Sequence, residues 1–153
     1  MFEKILVPLD GSQQSLKALD VAVQIAGEFG GKVTLIHVYS IAGLTSMMPE
    51  PSATIGVPVM SSSDISKLAD AARDAGKKVL DEGKKLVRAS GVEVDTLLEE
   101  GHPVHEIVRV VAEGGFGLIV MGARGVSHIR EMLLGSVSDA LLHHAACPVL
   151  VVK

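Results

Sequence analysis

The chain has 153 residues, a formal charge of −4 and 48% apolar residues, of which few are aromatic (3%). That length suits one domain with about two-thirds of its unfolded surface buried, and the core must be aliphatic. The composition excludes a basic nucleic-acid surface, a membrane span of ~18 apolar residues and, with Cys147 as the one cysteine, an internal disulfide.

No cationic leader with an apolar core is visible, so a single cytoplasmic domain over 1–153 is expected, in contact with neither nucleic acid nor membrane. Residues 2–9 form the first strand. Ile5, Leu6 and Val7 are continuously apolar, as in a parallel strand covered on both faces. Pro8 suits a strand end, and Ser12 or Asp10 caps the next helix. Leu16, Leu19, Ala22, Val23, Ala26 and Phe29 recur at helical spacing until Gly30 and Gly31 stop them. Residues 32–39 give a second strand, where His37 reads as a satisfied core or edge residue.

Residues 40–62 carry neither helical nor strand period. Pro49, Pro51, Pro58, Met47, Met48 and Met60 fit a lid or partner surface as well as a disordered excursion. A long helix starts at Ser63–Asp64 and closes at Gly91. Its stripe includes Ile65, Leu68, Gly76, Leu80, Gly83, Leu86 and Val87, and glycines on such a stripe imply close packing against a sheet. Residues 92–98 alternate, which suggests an edge-like strand, and Glu99 to Pro103 read as the turn after it. Val104, Ile107, Val108 and Val111 mark the next helix. Residues 116–121 form a fourth buried strand, 135–145 a last helix and 148–152 a final strand. The order βαβαβαβαβ implies an α/β fold, an open doubly wound parallel sheet with helices on both faces.

In such a sheet, ligands bind beyond the carboxyl ends of the strands. There the chain has Gly122 and Gly125, three apart, then nine residues, then Gly135 and Ser136 at a helix start. Glycines permit close backbone approach, and a helix N-terminus offers unpaired N–H groups to an anion. A phosphate cradle is one meaning of this pattern; turn and cap chemistry is the other. On the cradle reading, Gly122→Ala or Gly135→Val weakens nucleotide binding and leaves the fold mostly intact. Asp10 could accept a ribose hydroxyl or help hold a metal, or serve the turn. Val38 and Met121 could wall a base slot or fill the core. Arg124 could reach a phosphate or stay solvated. Ser136 and Ser138 could donate to a ligand or cap a turn, and Ser127, His128 and Arg130 lie in the spacer.

Other chemistry finds little support. Neither Gly-x-x-x-x-Gly-Lys-Ser/Thr nor Gly-x-Gly-x-x-Gly after the first strand occurs, and there is no Gly-x-Ser-x-Gly elbow. His102 and His105 lack further metal ligands. Cys147 reads as an inert buried thiol, and a pairing with His143 or His144 would be accidental. No residue pair supplies a general acid and base.

Together these stretches resemble the universal stress protein family of the ATP-binding type. The resemblance rests on Ile5 through Ser12, Leu35-Ile36-His37-Val38, Gly101-His102-Pro103, the set Gly122, Gly125, Gly135 and Ser136, and Cys147 through Val152. It implies a five-stranded sheet in the order 3-2-1-4-5, adenine nucleotide alpha hydrolase-like, with ATP across the strand ends. By position, Asp10 lies beside ribose and phosphates, and Val38 with the Pro8–Leu9 backbone lines the adenine slot. Met121 and Gly122 approach the nucleotide, and Arg124, Gly125, Gly135, Ser136, Val137 and Ser138 surround ribose and phosphates. Mg or Mn would be held mainly by the phosphates. The resemblance also implies a homodimer that pairs Val149 to Val152 antiparallel, which would cover an apolar edge. A residue smaller than Arg124 is frequent between the two glycines. The function implied is an ATP-binding stress-response or regulatory module signalling through a loop or the dimer surface. A slow ATPase or self-phosphorylating protein and a nucleotide-free scaffold stand as alternatives.

Overall fold

The computed structural model describes residues 2–42, 61–126 and 134–153. In chain order the elements are β1 (Lys4–Pro8), α1 (Gln13–Phe29), β2 (Lys32–Tyr39), α2 (Ser62–Ala89), β3 (Val94–Glu100), α3 (Pro103–Gly114), β4 (Leu118–Gly122), α4 (Ser136–His144) and β5 (Val149–Val152). The strands make one parallel five-stranded sheet in the order β3-β2-β1-β4-β5. No described helix is long and apolar enough to cross a membrane.

The continuous apolar runs of the inner strands have a physical cause. Ile5, Val7, Val33, Leu35, Leu118 and Val120 pack with α1 and α2 on one face. Leu6, Ile36, Ile119 and Met121 pack with α3 and α4 on the other. A strand covered twice needs apolar side chains at every position. Gly76 and Gly83 let α2 come close: a Cβ would lie 2.6 Å from His37 Cδ2 at the first and 2.6 Å from Leu9 Cδ1 at the second.

Strand order and layers agree with the sequence, but the finer expectation of an adenine nucleotide alpha hydrolase-like, open doubly wound fold is corrected. The finding is a Rossmann-like parallel sheet with helices on both faces. Such layers are shared by proteins of unrelated chemistry, and no described element marks a hydrolase-like member.

Three local expectations also change. Glu99 and Glu100 belong to β3, paired with Val38 and Tyr39, and not to a turn. Their charge is accommodated because the strand is an edge: Glu99 Oε2 meets Arg109 Nη2 at 2.9 Å, and Tyr39 Oη donates to Glu100 at 3.2 Å. Phe29 is 62% exposed, ending α1 beyond the sheet with its ring 5.0 Å from that of Phe2. Leu86 is 55% exposed, one position short of the buried Val87. Most of the expected 40–62 loop, and Ser127, His128 and Arg130, lie outside the described residues.

Because all strands run the same way, the carboxyl ends of β1, β2 and β4 meet at one edge. The crossover from β3 through α3 to β4 separates the two helical layers there, and the crevice it leaves carries the site.

Candidate functional site

A cavity of about 360 Å³ occupies that crevice. Its wall brings together the residues that the glycine pattern and the resemblance assign to a nucleotide: Pro8, Leu9 and Asp10 after β1, Val38 on β2, Met121, Gly122, Arg124 and Gly125 at the end of β4, and Gly135 through Ser138 at α4. Residues not foreseen as site residues join them: Ser15, Ile36, His37, Pro103, Ile107 and Val126. Pro103 and Ile107 come from the first turns of α3, which lies over this end of the sheet. In the sequence Ile107 belongs to the apolar stripe of this helix and Pro103 to its start, and neither position marks a site.

Each oxygen of the Asp10 carboxylate accepts one backbone N–H. Its Oδ1 accepts from the Ser12 N–H at 2.9 Å, a turn of the kind Asp side chains stabilise. Its Oδ2 accepts from the Val126 N–H at 3.0 Å and so ties the loop after β4 to the loop after β1. Ser12, rather than Asp10, caps α1, its Oγ accepting from the Ser15 N–H at 3.2 Å. A carboxylate has about four acceptor positions, so Asp10 keeps capacity toward the cavity.

His37 is satisfied as expected. Its Nδ1 lies 2.7 Å from the Leu9 carbonyl. A carbonyl only accepts, so Nδ1 carries the proton. This bond fixes the backbone between Pro8 and Asp10.

Gly122 and Gly125 also serve the protein's own packing. Gly122, Gly125 and Gly135 are absent from the positive-φ glycines, so what matters is the missing side chain. A Cβ on Gly122 would sit 2.9 Å from the Gln14 carbonyl carbon and 3.0 Å from its oxygen, and one on Gly125 would collide with Asp10 Oδ2. Gly122→Ala therefore carries a packing cost of its own, whatever is bound, because that glycine admits the backbone of α1. Gly135 has room, since the nearest atom would be 3.5 Å away.

Ser138 is buried and its Oγ donates to the Gly122 carbonyl at 2.9 Å, so this hydroxyl holds the loop. Ser136 is exposed at the start of α4. Gly135 is the N-cap of α4 and no side chain caps that end. The first N–H groups of a helix have no intrahelical partner, and here they border the cavity. Arg124 lines it as well and takes part in none of the ion pairs among described residues.

Beside these polar groups, Val38, Ile36, Met121, Ile107, Pro103 and Pro8 supply an apolar wall. The arrangement can hold a flat apolar group at one end and an anion at the other. Among the described residues no group of three His, Cys, Asp or Glu could hold a metal, and Asp10 is the one carboxylate on the cavity wall. The His102 and His105 rings lie 4.8 Å apart at a tilt of 44°, and among the described residues no third ligand joins them.

A family model described as the universal stress protein family matches residues 1–153. The universal stress protein YxiE of Bacillus subtilis is 37% identical over 153 residues, covering 100% of both chains. The solved structure of the universal stress protein UspA from Lactobacillus plantarum superposes with a TM-score of 0.82 at 26% identity, over 99% of this chain and 98% of its own. A crystal structure of a universal stress protein in complex with cAMP matches with a TM-score of 0.68 at 27% identity, over 99% and 97%.

Proposed function

The chain belongs to the universal stress protein family, and from that premise we propose that its cavity binds an adenine nucleotide, ATP in the first instance, so that the protein acts as a nucleotide-binding regulator. One observation carries this: the uncapped N-terminus of α4 and the apolar wall of Val38 and Met121 border the same cavity. The first suits phosphate through free N–H groups and the helix dipole; the second suits a purine ring. A volume of about 360 Å³ falls among small-molecule sites, roughly 300–1,000 Å³. The complex of a relative with cAMP supports an adenine nucleotide as the class.

In this reading Pro8, Leu9 and Val38 receive the base, Asp10 the ribose, and Arg124, Gly125, Gly135, Ser136 and Val137 the phosphates. Met121 and Gly122 form the floor, and Ser138 holds Gly122 in place. Mg or Mn fits only as an ion carried by the phosphates, with Asp10 as the nearest carboxylate, since the described residues offer no ligand set of their own. We take the protein to work in the cytoplasm as a homodimer paired through β5, an edge strand whose Leu150 is 37% exposed.

Regulation needs two states of the protein with different nucleotide affinity; binding alone shifts nothing. The test is purification under mild conditions, acid release of any bound nucleotide, then incubation with ATP and Mg. Intact ATP retained at one per chain is expected. Conversion to ADP would move the reading to a slow ATPase. No bound nucleotide and no measurable affinity would overturn it.

A further inference from the structure

We propose that Gln14 is a positioning residue for the anion end of the cavity, an inference that rests on the nucleotide-binding reading. Gln14 stands in the first turn of α1, half-buried, and carries no motif that would single it out. Its backbone occupies the space that a side chain at Gly122 would fill. From there its Oε1 accepts the Arg124 N–H at 2.7 Å. Two residues on, Asp10 Oδ2 accepts the Val126 N–H at 3.0 Å.

The loop after β4 is thus pinned at alternate residues by side chains from the β1–α1 segment. Between the pins, the Gly125 N–H donates to no described residue, and Gly125 lines the cavity beside Ser136 and Val137. The pins hold the neighbouring N–H groups away from a ligand and leave that of Gly125 available to one. A further bond, from the Gly135 N–H to the Ala123 carbonyl at 2.7 Å, ties the same loop to the start of α4. Gln14 therefore acts through Arg124: without its acceptor, the peptide before Arg124 keeps the bond of its Ala123 carbonyl to Gly135 but loses its tie to α1, and Gly125 and the Arg124 side chain are held less firmly relative to α4.

The experiment compares the full chain with Gln14→Leu, which removes the acceptor, and Gln14→Glu, which keeps one at the same reach. Amide hydrogen exchange is followed at Arg124, with Ile119 and Val120 of the buried β4 as internal reference, and ATP affinity is measured by calorimetry. In Q14L, exchange at Arg124 is expected to rise and the ATP dissociation constant to rise about tenfold, the scale of one backbone hydrogen bond, with Ile119 and Val120 unchanged. Q14E keeps exchange at Arg124 slow. Faster exchange in Q14L with unchanged ATP affinity overturns the positioning role while leaving nucleotide binding intact. Unchanged exchange at Arg124 removes the pin itself. Fast exchange at Arg124 in Q14E overturns the proposal even where Q14L fails to fold. A wild-type chain that binds no ATP overturns the nucleotide reading, and this inference with it.

Discussion

Gly122→Ala separates a glycine kept for a ligand from one kept for the protein's own packing. An ideal Cβ at that position lies 2.9 Å from the Gln14 carbonyl carbon and 3.0 Å from its Cβ and oxygen, against about 3.5–4.0 Å for a relaxed carbon contact. The obstructing atoms belong to helical backbone and cannot rotate aside, so α1 must retreat from β4 at its first turn. Inserting a methyl group into such a site costs about 1–3 kcal/mol, and the lower chain entropy of Ala returns about 0.5–1 kcal/mol. The net loss centres on ~1 kcal/mol, with extremes of about 0 and 2.5 kcal/mol, so a fall in Tm of about 2–4 °C is expected for a domain of this size. Gly135→Ala is the control. Its nearest contact would be an ordinary 3.5 Å and its φ is −74°, so its cost is that of a weaker N-cap, at most about 1 kcal/mol. Thermal unfolding by far-UV circular dichroism, with nucleotide absent, reads both. A G122A melting point equal to wild type would refute the packing account and return Gly122 to the ligand.

Three further outcomes follow from the same coordinates. Gly27 is an exposed interior residue of α1 with nothing within 4 Å of a built Cβ, whereas one at Gly76 would lie 2.6 Å from His37 Cδ2; G27A should therefore raise the denaturant midpoint by about 0.5–1 kcal/mol of stability and G76A lower it, and shifts of the same sign would contradict the packing of α2. Burial pushes the Cys147 thiol above its ordinary range, partly opposed by a backbone hydrogen bond at Ile119, so at pH 8 it should react with a disulfide reagent more slowly than free cysteine until the chain is unfolded; equal rates would refute this. Leu150→Asp places a charge on the exposed side of β5 and should convert the proposed β5-paired dimer to monomer in light scattering, while a variant that remains dimeric would move the interface elsewhere and a monomeric wild type would refute the pairing.

The sequence was most legible where one force dominates. Ile5-Leu6-Val7 and Leu118-Ile119-Val120 read as strands covered on both faces, and the described residues chosen for their place near the strand ends line one cavity. Legibility failed where a side chain's fate depends on a distant partner. Glu99 and Glu100 look like a turn until Arg109 and Tyr39 are brought beside them. Phe29 keeps the helical period but ends α1 beyond the sheet, and Leu86 lies beside Val87, which takes the buried position. Gln14 is the clearest case, because a glutamine in the first turn of a helix is ordinarily a solvated residue. Its only sequence trace is indirect, a glycine more than a hundred residues later that makes room for it.

That distance changes what the glycine pattern can be taken to mean. Two of its glycines are explained without a ligand: Gly122 admits Gln14, and Gly125 admits the Asp10 carboxylate. The pattern therefore encodes, first, a lock between the loop after β4 and the start of α1. Donors for an anion are a consequence of that lock, because peptides held by Gln14 and Asp10 leave the Gly125 N–H beside the uncapped start of α4. A chain could retain the spacing, and with it the lock, and still take a different anion. On the proposed nucleotide reading, the identity of the ligand is then decided by groups the spacing does not specify, foremost the guanidinium of Arg124 and the apolar wall of Val38, Met121, Pro103 and Ile107. Substituting Arg124 should consequently change which phosphate chain length is preferred, whereas substituting Gly122 should change stability whatever is bound.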